Sequence, residues 1–238
     1  MLLAFTAFAQ QPQIVEISSE PSHHLVFENA FLRAFDVTVA PKSTTLVHRH
    51  NNDYVFVTLG DADITNARVG AAPAKAVLKD GDTRYAAGGF AHAAINNADT
   101  PFHNITIEIL APATNEHNCT EGCSLPLPCN AADKAACPSV QRLFSADQWT
   151  VTAITLPPGA TIPEHTHYAH HLVIPVSELH LRMKNQNQPE TELSAKVGEV
   201  MWVNPVIHTV TNAGSKPARL VTLELRGTAE PEAPHSHP

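Results

Sequence analysis

The segment HNITIEIL (103–110) places isoleucine at every second position, Ile105, Ile107 and Ile109. A period of two puts those side chains on one face of a β-strand. ARLVTLEL (218–225) repeats the pattern near the other end of the chain. Between them run short β-branched segments broken by Gly, Pro, Asn and Asp, and almost nothing carries the 3.6-residue period of a helix. The pattern predicts an all-β chain folded as an antiparallel sandwich or barrel. Its 19 prolines suit a turn-rich β-protein better than a helical one. No apolar run approaches the roughly 18 residues of a membrane-spanning helix.

The second half of the chain can be laid on the first. PKSTTLVHRHNND (41–53) matches PGATIPEHTHYAH (158–170), so that His48 and His50 fall on His165 and His167, 117 residues apart. GDTRYAAGGFAHAAIN (81–96) matches GEVMWVNPVIHTVTN (198–212), with His92 on His208 and Asn96 on Asn212 at an offset of 116. TIE (106–108) meets TLE (222–224) at the same offset, so the second copy is one residue shorter ahead of His208. Chance would rarely hold so many landmarks in one register. The chain is therefore read as two copies of one β-domain.

Composition sharpens this picture. Fifteen histidines stand against three tyrosines and two tryptophans. The formal net charge of −8 argues against nucleic acid or an anionic membrane as partner. In each HxH pair the two imidazoles share one strand face and can converge on a single metal ion.

These spacings resemble the two sequence motifs of the cupin superfamily. Five residues separate Gly159 from His165-Thr-His167, and Gly198 leads to His208 and, after three intervening residues, Asn212; Gly81, His92 and Asn96 mirror this in the first copy. The resemblance spans residues 25–112 and 141–226 and implies a bicupin: two tandem jelly-roll barrels, each with a metal held by histidines and a carboxylate. Cupins usually carry a glutamate three or four residues after HxH, and neither copy has one there. Asp53 keeps the expected six-residue interval to the next glycine, Gly60, and alternation puts it on one face with Val55 and Val57. The matching residue is His170, in phase with Leu172, Ile174 and Val176, whereas His171 falls on the other face and ranks below it. Lys42, Ser177 and Val206 stand where cupins often have glycine.

The expected centres are thus His48, His50, Asp53 and His92 in the first barrel and His165, His167, His170 and His208 in the second. Imidazole suits Fe, Mn, Ni, Zn or Cu, up to two ions per chain, and a carboxylate keeps iron and manganese in view. The alternatives are that one barrel is degenerate, or that the histidines are satisfied polar residues. Two functions follow from the resemblance. One is a metal-dependent, dioxygenase-like enzyme acting on a small organic molecule, with Asp53 as its catalytic carboxylate and the N-terminal barrel as the working site. The other is a non-catalytic cupin that binds a metal and a small ligand for storage or sensing. Assembly into a homo-oligomer stays open.

Weaker signals remain. Tyr85 and Trp202 occupy matching positions and either wall a pocket or fill the core. Arg33 is either a solvated strand residue or a contact for an anionic substrate. Asn96 and Asn212 are either donors behind the metal ligands or turn residues. Cys119, Cys123, Cys129 and Cys137 lie in the linker, 113–140, and are read as two disulfides rather than a zinc site, with three pairings open. Residues 1–9 read as the remnant of a secretory signal, which with the cysteines points to a periplasmic or secreted protein. The tail, 227–238, reads as disordered.

Overall fold

The computed structural model describes residues 13–110, 117–118, 127, 129 and 133–226. Residues 15–109 form two facing five-stranded sheets. One runs in the order Val15–Glu16, His48–His50, Phe90–Asn96, Ala62–Arg68, Ala74–Leu78; the other His23–Glu28, Leu32–Val39, Phe102–Ile109, Asp53–Leu59, Thr83–Ala86. The second half repeats the plan. Its larger sheet has the order His117–Asn118, Ser139–Ser145, Trp149–Leu156, Ala218–Leu225, His171–Pro175, Met201–Val203, and its smaller one Thr161–His167, Val206–Asn212, Leu179–Asn185, Thr191–Ala195. Every named pairing is antiparallel except that of Val15–Glu16 with His48–His50. Successive strands cross between facing sheets, which makes each half a jelly-roll barrel. Among the described residues no helix is long and apolar enough to cross a membrane.

Three apolar clusters organise the chain. Phe35, Val37, Val39, Ile64 and Leu78 fill the first barrel, and Leu156, Val173, Leu179, Leu181 and Val210 the second. The largest cluster lies between the barrels, where Val55, Val57, Ile105 and Ile107 meet Trp149, Val151, Leu172, Ile174 and Leu223. Burial of this aliphatic surface is what holds the two halves together. Tyr85 and Trp202 also pack against it, and the Arg219 guanidinium reaches Asp80 Oδ2 across the junction at 2.5 Å.

This junction inverts the expected strand phase. Val55, Val57 and Leu59 point at the other barrel, so the residues of that strand that look into its own barrel are Tyr54 and Phe56. Likewise Leu172 and Ile174 face the junction while His171 and Val173 face inward.

The two asparagines are turn residues. Buried Asn96 donates its amide to the carbonyls of Val39, Ala40 and Thr100 and accepts from Ala98 N–H; Asn212 does the same with Leu156, Lys216 and Gly214. Lys42 sits at φ +54° where its counterpart Gly159 has +72°, so the first copy keeps the left-handed turn without the glycine.

Cys129 and Cys137 form a disulfide. Cys119 and Cys123 lie outside the described residues, as do residues 1–12 and 227–238. Closing so short a loop is expected to contribute about 2–3 kcal/mol. Replacing both Cys129 and Cys137 by serine should lower stability by about that amount in a denaturant titration and leave bound metal unchanged, because no proposed ligand is a cysteine.

Candidate metal centres

Strand register brings the first centre together. His48 stands directly opposite His92 on the neighbouring strand, and His50 shares His48's inward face. In the second barrel His165 stands opposite His208 and shares its face with His167. His48, His50, His92 and His208 are buried and His165 and His167 half-buried.

Every ring but that of His208 has an oxygen behind it, and His208 Nδ1 is buried with no hydrogen-bond partner. His48 Nδ1 donates to the Leu46 carbonyl at 2.9 Å and His165 Nδ1 to that of Pro163 at 2.8 Å. His92 Nδ1 donates to Asn66 Oδ1 at 2.8 Å, and His50 Nδ1 lies 3.6 Å from Glu108 Oε1, close enough for charge attraction but longer than a hydrogen bond. His167 Nδ1 meets Glu224 Oε2 at 3.2 Å. An acceptor at Nδ1 fixes the proton there and leaves Nε2 bare. His50 Nε2 and His92 Nε2 face each other 3.1 Å apart, and His48 Nε2 is buried with no hydrogen-bond partner. His165 Nε2 and His208 Nε2 also approach to 3.1 Å. Imidazole nitrogens that converge in this way can share one cation. The donor set fits a transition metal with a taste for nitrogen, and not calcium or magnesium.

Burial keeps these rings neutral and so able to ligate. It lowers His48 to about 4, His92 to about 2 and His208 to about 3, with neighbouring imidazoles pushing the same way for each. His50 and His165 are lowered too, mainly by burial, with Glu108 and the Pro163 carbonyl respectively opposing it.

The fourth positions differ from those expected. Asp53 accepts the Gly88 N–H at 2.8 Å and the Tyr85 hydroxyl at 3.1 Å, away from the imidazoles. The reason is local: Gly88 packs its backbone against Asn51 and Asn52 so closely that a Cβ would sit 2.5 Å from Asn52 C, and this turn closes over the carboxylate. His170 stacks on Trp202 at 5.2 Å, on the far side of its strand from the centre. The inward neighbours occupy the place instead. Tyr54 stacks on His50 at 4.0 Å and His171 on His167 at 4.1 Å, with nearly equal tilts of 20° and 21°. Both lie four residues after their HxH motif. Burial lowers His171 to about 4 and raises the Tyr54 phenol to about 12, so both are neutral near pH 7.

The carboxylates behind the rings were in the repeat all along. TIE and TLE end in Glu108 and Glu224, which share the inward face of the closing strands with Thr106 and Thr222. Burial would raise both, but hydrogen bonding and charge from His50 and Arg33, and from His167 and His171, hold them below the ordinary carboxylate range. Arg33 neither lies free in solvent nor waits for a ligand: it pairs with Glu108. His23 also reaches the first centre, its ring 4.6 Å from that of His48.

The cavities differ in character. In the first barrel a space of about 190 Å³ is lined by the histidines, by the polar Asn66, Arg84, Asn104 and Thr106, and by apolar residues including Val37, Phe56, Ile64, Leu78 and Phe102. In the second, about 290 Å³ is lined by His165, His167, His171 and His208 on one side and otherwise almost wholly by aliphatic residues, Met183, Met201 and Trp202.

No protein-family model matches the sequence, and no curated protein matches it at a significant level. The likeness lies in three dimensions. AerE from Microcystis aeruginosa superposes with a TM-score of 0.58 at 14% identity, over 87% of this chain and 98% of that one. Oxalate decarboxylase of Bacillus subtilis, a protein with Mn(II) centres, gives 0.57 at 12% identity over 88% and 77%. A cupin 2 conserved barrel domain protein from Leptotrichia buccalis gives 0.54 at 10% identity over 86% and 88%. The chain has the two-barrel cupin fold.

Proposed function

We propose that the chain is a metal-binding bicupin whose C-terminal barrel is a metal-dependent enzyme site of dioxygenase type for a small, largely apolar organic molecule. The carrying observation is the second cavity: His165, His167 and His208 converge at the wall of a space that is otherwise aliphatic. Three imidazoles leave positions open on a metal, which would there supply Lewis acidity and, if iron or manganese, a one-electron couple. The C-terminal barrel is preferred to the N-terminal one because Asp53, the reason for favouring the latter, bonds to Gly88 N–H and the Tyr85 hydroxyl instead.

The chain's own residues do the rest. The aliphatic walls exclude water and orient an apolar substrate against the imidazole cluster. Glu224 holds the His167 proton at Nδ1 and makes that ring a better donor. His171, neutral and stacked on His167, is placed to accept a proton from substrate or to serve as a fourth ligand. The Mn(II) centres of the structurally similar oxalate decarboxylase support manganese as one candidate metal. The Cys129–Cys137 disulfide supports an oxidising compartment, hence export.

The test is metal analysis of protein purified without added metal, with His48→Ala and His208→Ala alongside. Each variant is expected to lose the metal of its own barrel. Oxygen-dependent turnover of a small apolar substrate should vanish in His208→Ala and survive in His48→Ala. The reverse pattern would move the chemistry to the N-terminal barrel; full metal loading with no turnover of any candidate would favour a binding cupin.

A further inference from the structure

We infer that His23 is a further ligand of the N-terminal centre, making it a fold-stabilising site that ties the two sheets of that barrel together. The inference rests on the reading of both barrels as metal-holding. His48, His50 and His92 all belong to one sheet, whereas His23 opens a strand of the facing sheet. Even so, the donor atoms of His23, His48 and His50 all lie within 4.8 Å of one another. In the second barrel the clustered donors, His165, His167 and His208, come from a single sheet.

His23 is prepared as a ligand. Its Nδ1 meets Glu20 Oε2 at 2.6 Å, which fixes the proton on that side and frees Nε2 for the cluster. Glu20 is itself buried and immobilised, for it also accepts the N–H groups of Ser22 at 2.8 Å and Leu46 at 3.1 Å. Leu46 leads directly into the HxH strand, so one carboxylate orients His23 and anchors the segment carrying His48. The second copy lacks the arrangement. His23 pairs with Val37, and the residue in the same register there is Val140, which pairs with Ile154. A ligand set drawn from both sheets couples ion binding to the packing of the barrel, which is the mark of a structural site.

Zinc binding to chelator-stripped protein, measured by competition with a chromophoric chelator, tests this together with thermal unfolding. Wild type should take up two zinc ions. His23→Ala should keep one at wild-type affinity and bind the other at least ten-fold more weakly, and its unfolding temperature should rise less on adding zinc. His208→Ala should show the opposite loss, keeping the tight N-terminal ion and its thermal effect. Glu20→Gln preserves the fold should His23→Ala fail to fold, and should weaken the same ion about 10–100-fold. Two zinc ions at wild-type affinity in both His23→Ala and Glu20→Gln would overturn the inference. A single zinc in wild type, lost in His208→Ala and kept in His48→Ala, would also overturn it while leaving the proposed function standing. No zinc in wild type would remove both.

Discussion

Arg33→Met should lower stability at pH 7 by about 3–5 kcal/mol, the usual result of breaking a buried ion pair from one side. Glu108 is completely buried, and Arg33 stands directly opposite it on the adjacent strand with its guanidinium on one carboxylate oxygen. The other oxygen faces His50. Without Arg33 the carboxylate has no cation, since a neutral His50 supplies none. It must either stay charged in an apolar setting or take up a proton. The destabilisation should therefore shrink as pH falls toward 5. The double variant Arg33→Met, Glu108→Gln should recover most of it, because no buried charge is then left unpaired. Chemical denaturation of the three proteins gives the answer, and a single-variant cost below about 1 kcal/mol would show that Arg33 does not neutralise Glu108. The second copy offers a natural contrast: Thr150, not an arginine, stands opposite Glu224, whose side-chain hydrogen bond is to His167.

Metal-free protein should lose stability steadily from pH 6.5 downward, well before ordinary carboxylates protonate. His48, His92, His171 and His208 are held by burial near 4, 2, 4 and 3. An unfolded chain binds protons at those residues from about pH 6.5, and the folded one does not. Protonation thus favours the unfolded state throughout the interval between the two values. Stability is complete above about 6.5, declines as pH falls from there toward the lowered values, and levels off below them. His48 alone accounts for about 3 kcal/mol by pH 4, at 1.36 kcal/mol per pH unit. Bound metal occupies the same nitrogens, so loaded protein should hold its unfolding temperature to lower pH than stripped protein. The diagnostic window is pH 6.5 to 5, above the range in which Glu20, Glu108 and Glu224 add a loss of the same sign. An unfolding temperature of stripped protein that stays flat across that window would mean the histidines are not kept neutral by their surroundings.

Much of the fold was legible without coordinates. Period-two alternation marked the strands, and the offset of 117 falling to 116 marked two copies. Both histidine motifs survived because a strand fixes the relation of i to i+2, and the repeat fixes which later histidine answers them. The single-residue difference even has a visible location, the Gly88–Gly89 turn of the first copy. The glutamates at 108 and 224 were found as landmarks but given no role. A glutamate between β-branched residues reads as solvent-facing, and nothing local says that its strand lies inside a two-barrel stack. His23 left still less trace, since it has no counterpart in the second copy; only Glu20, three residues earlier, hinted at a supported imidazole.

The sequence by itself determined which residues form strands, that the domain occurs twice, and that His48, His50 and His92 answer His165, His167 and His208. Those are matters of period and spacing, which the backbone imposes locally. Only the tertiary structure decided which face of each central strand looks inward. In a lone barrel the more apolar face would fill the interior, and that logic selects Asp53 and His170. Here the apolar faces of both barrels meet each other, since a dry contact between sheets buries more aliphatic surface than a cavity walled by imidazoles. The polar faces therefore turn in, bringing Tyr54, His171, Glu108 and Glu224 to the centres and sending Asp53 and His170 to the other side.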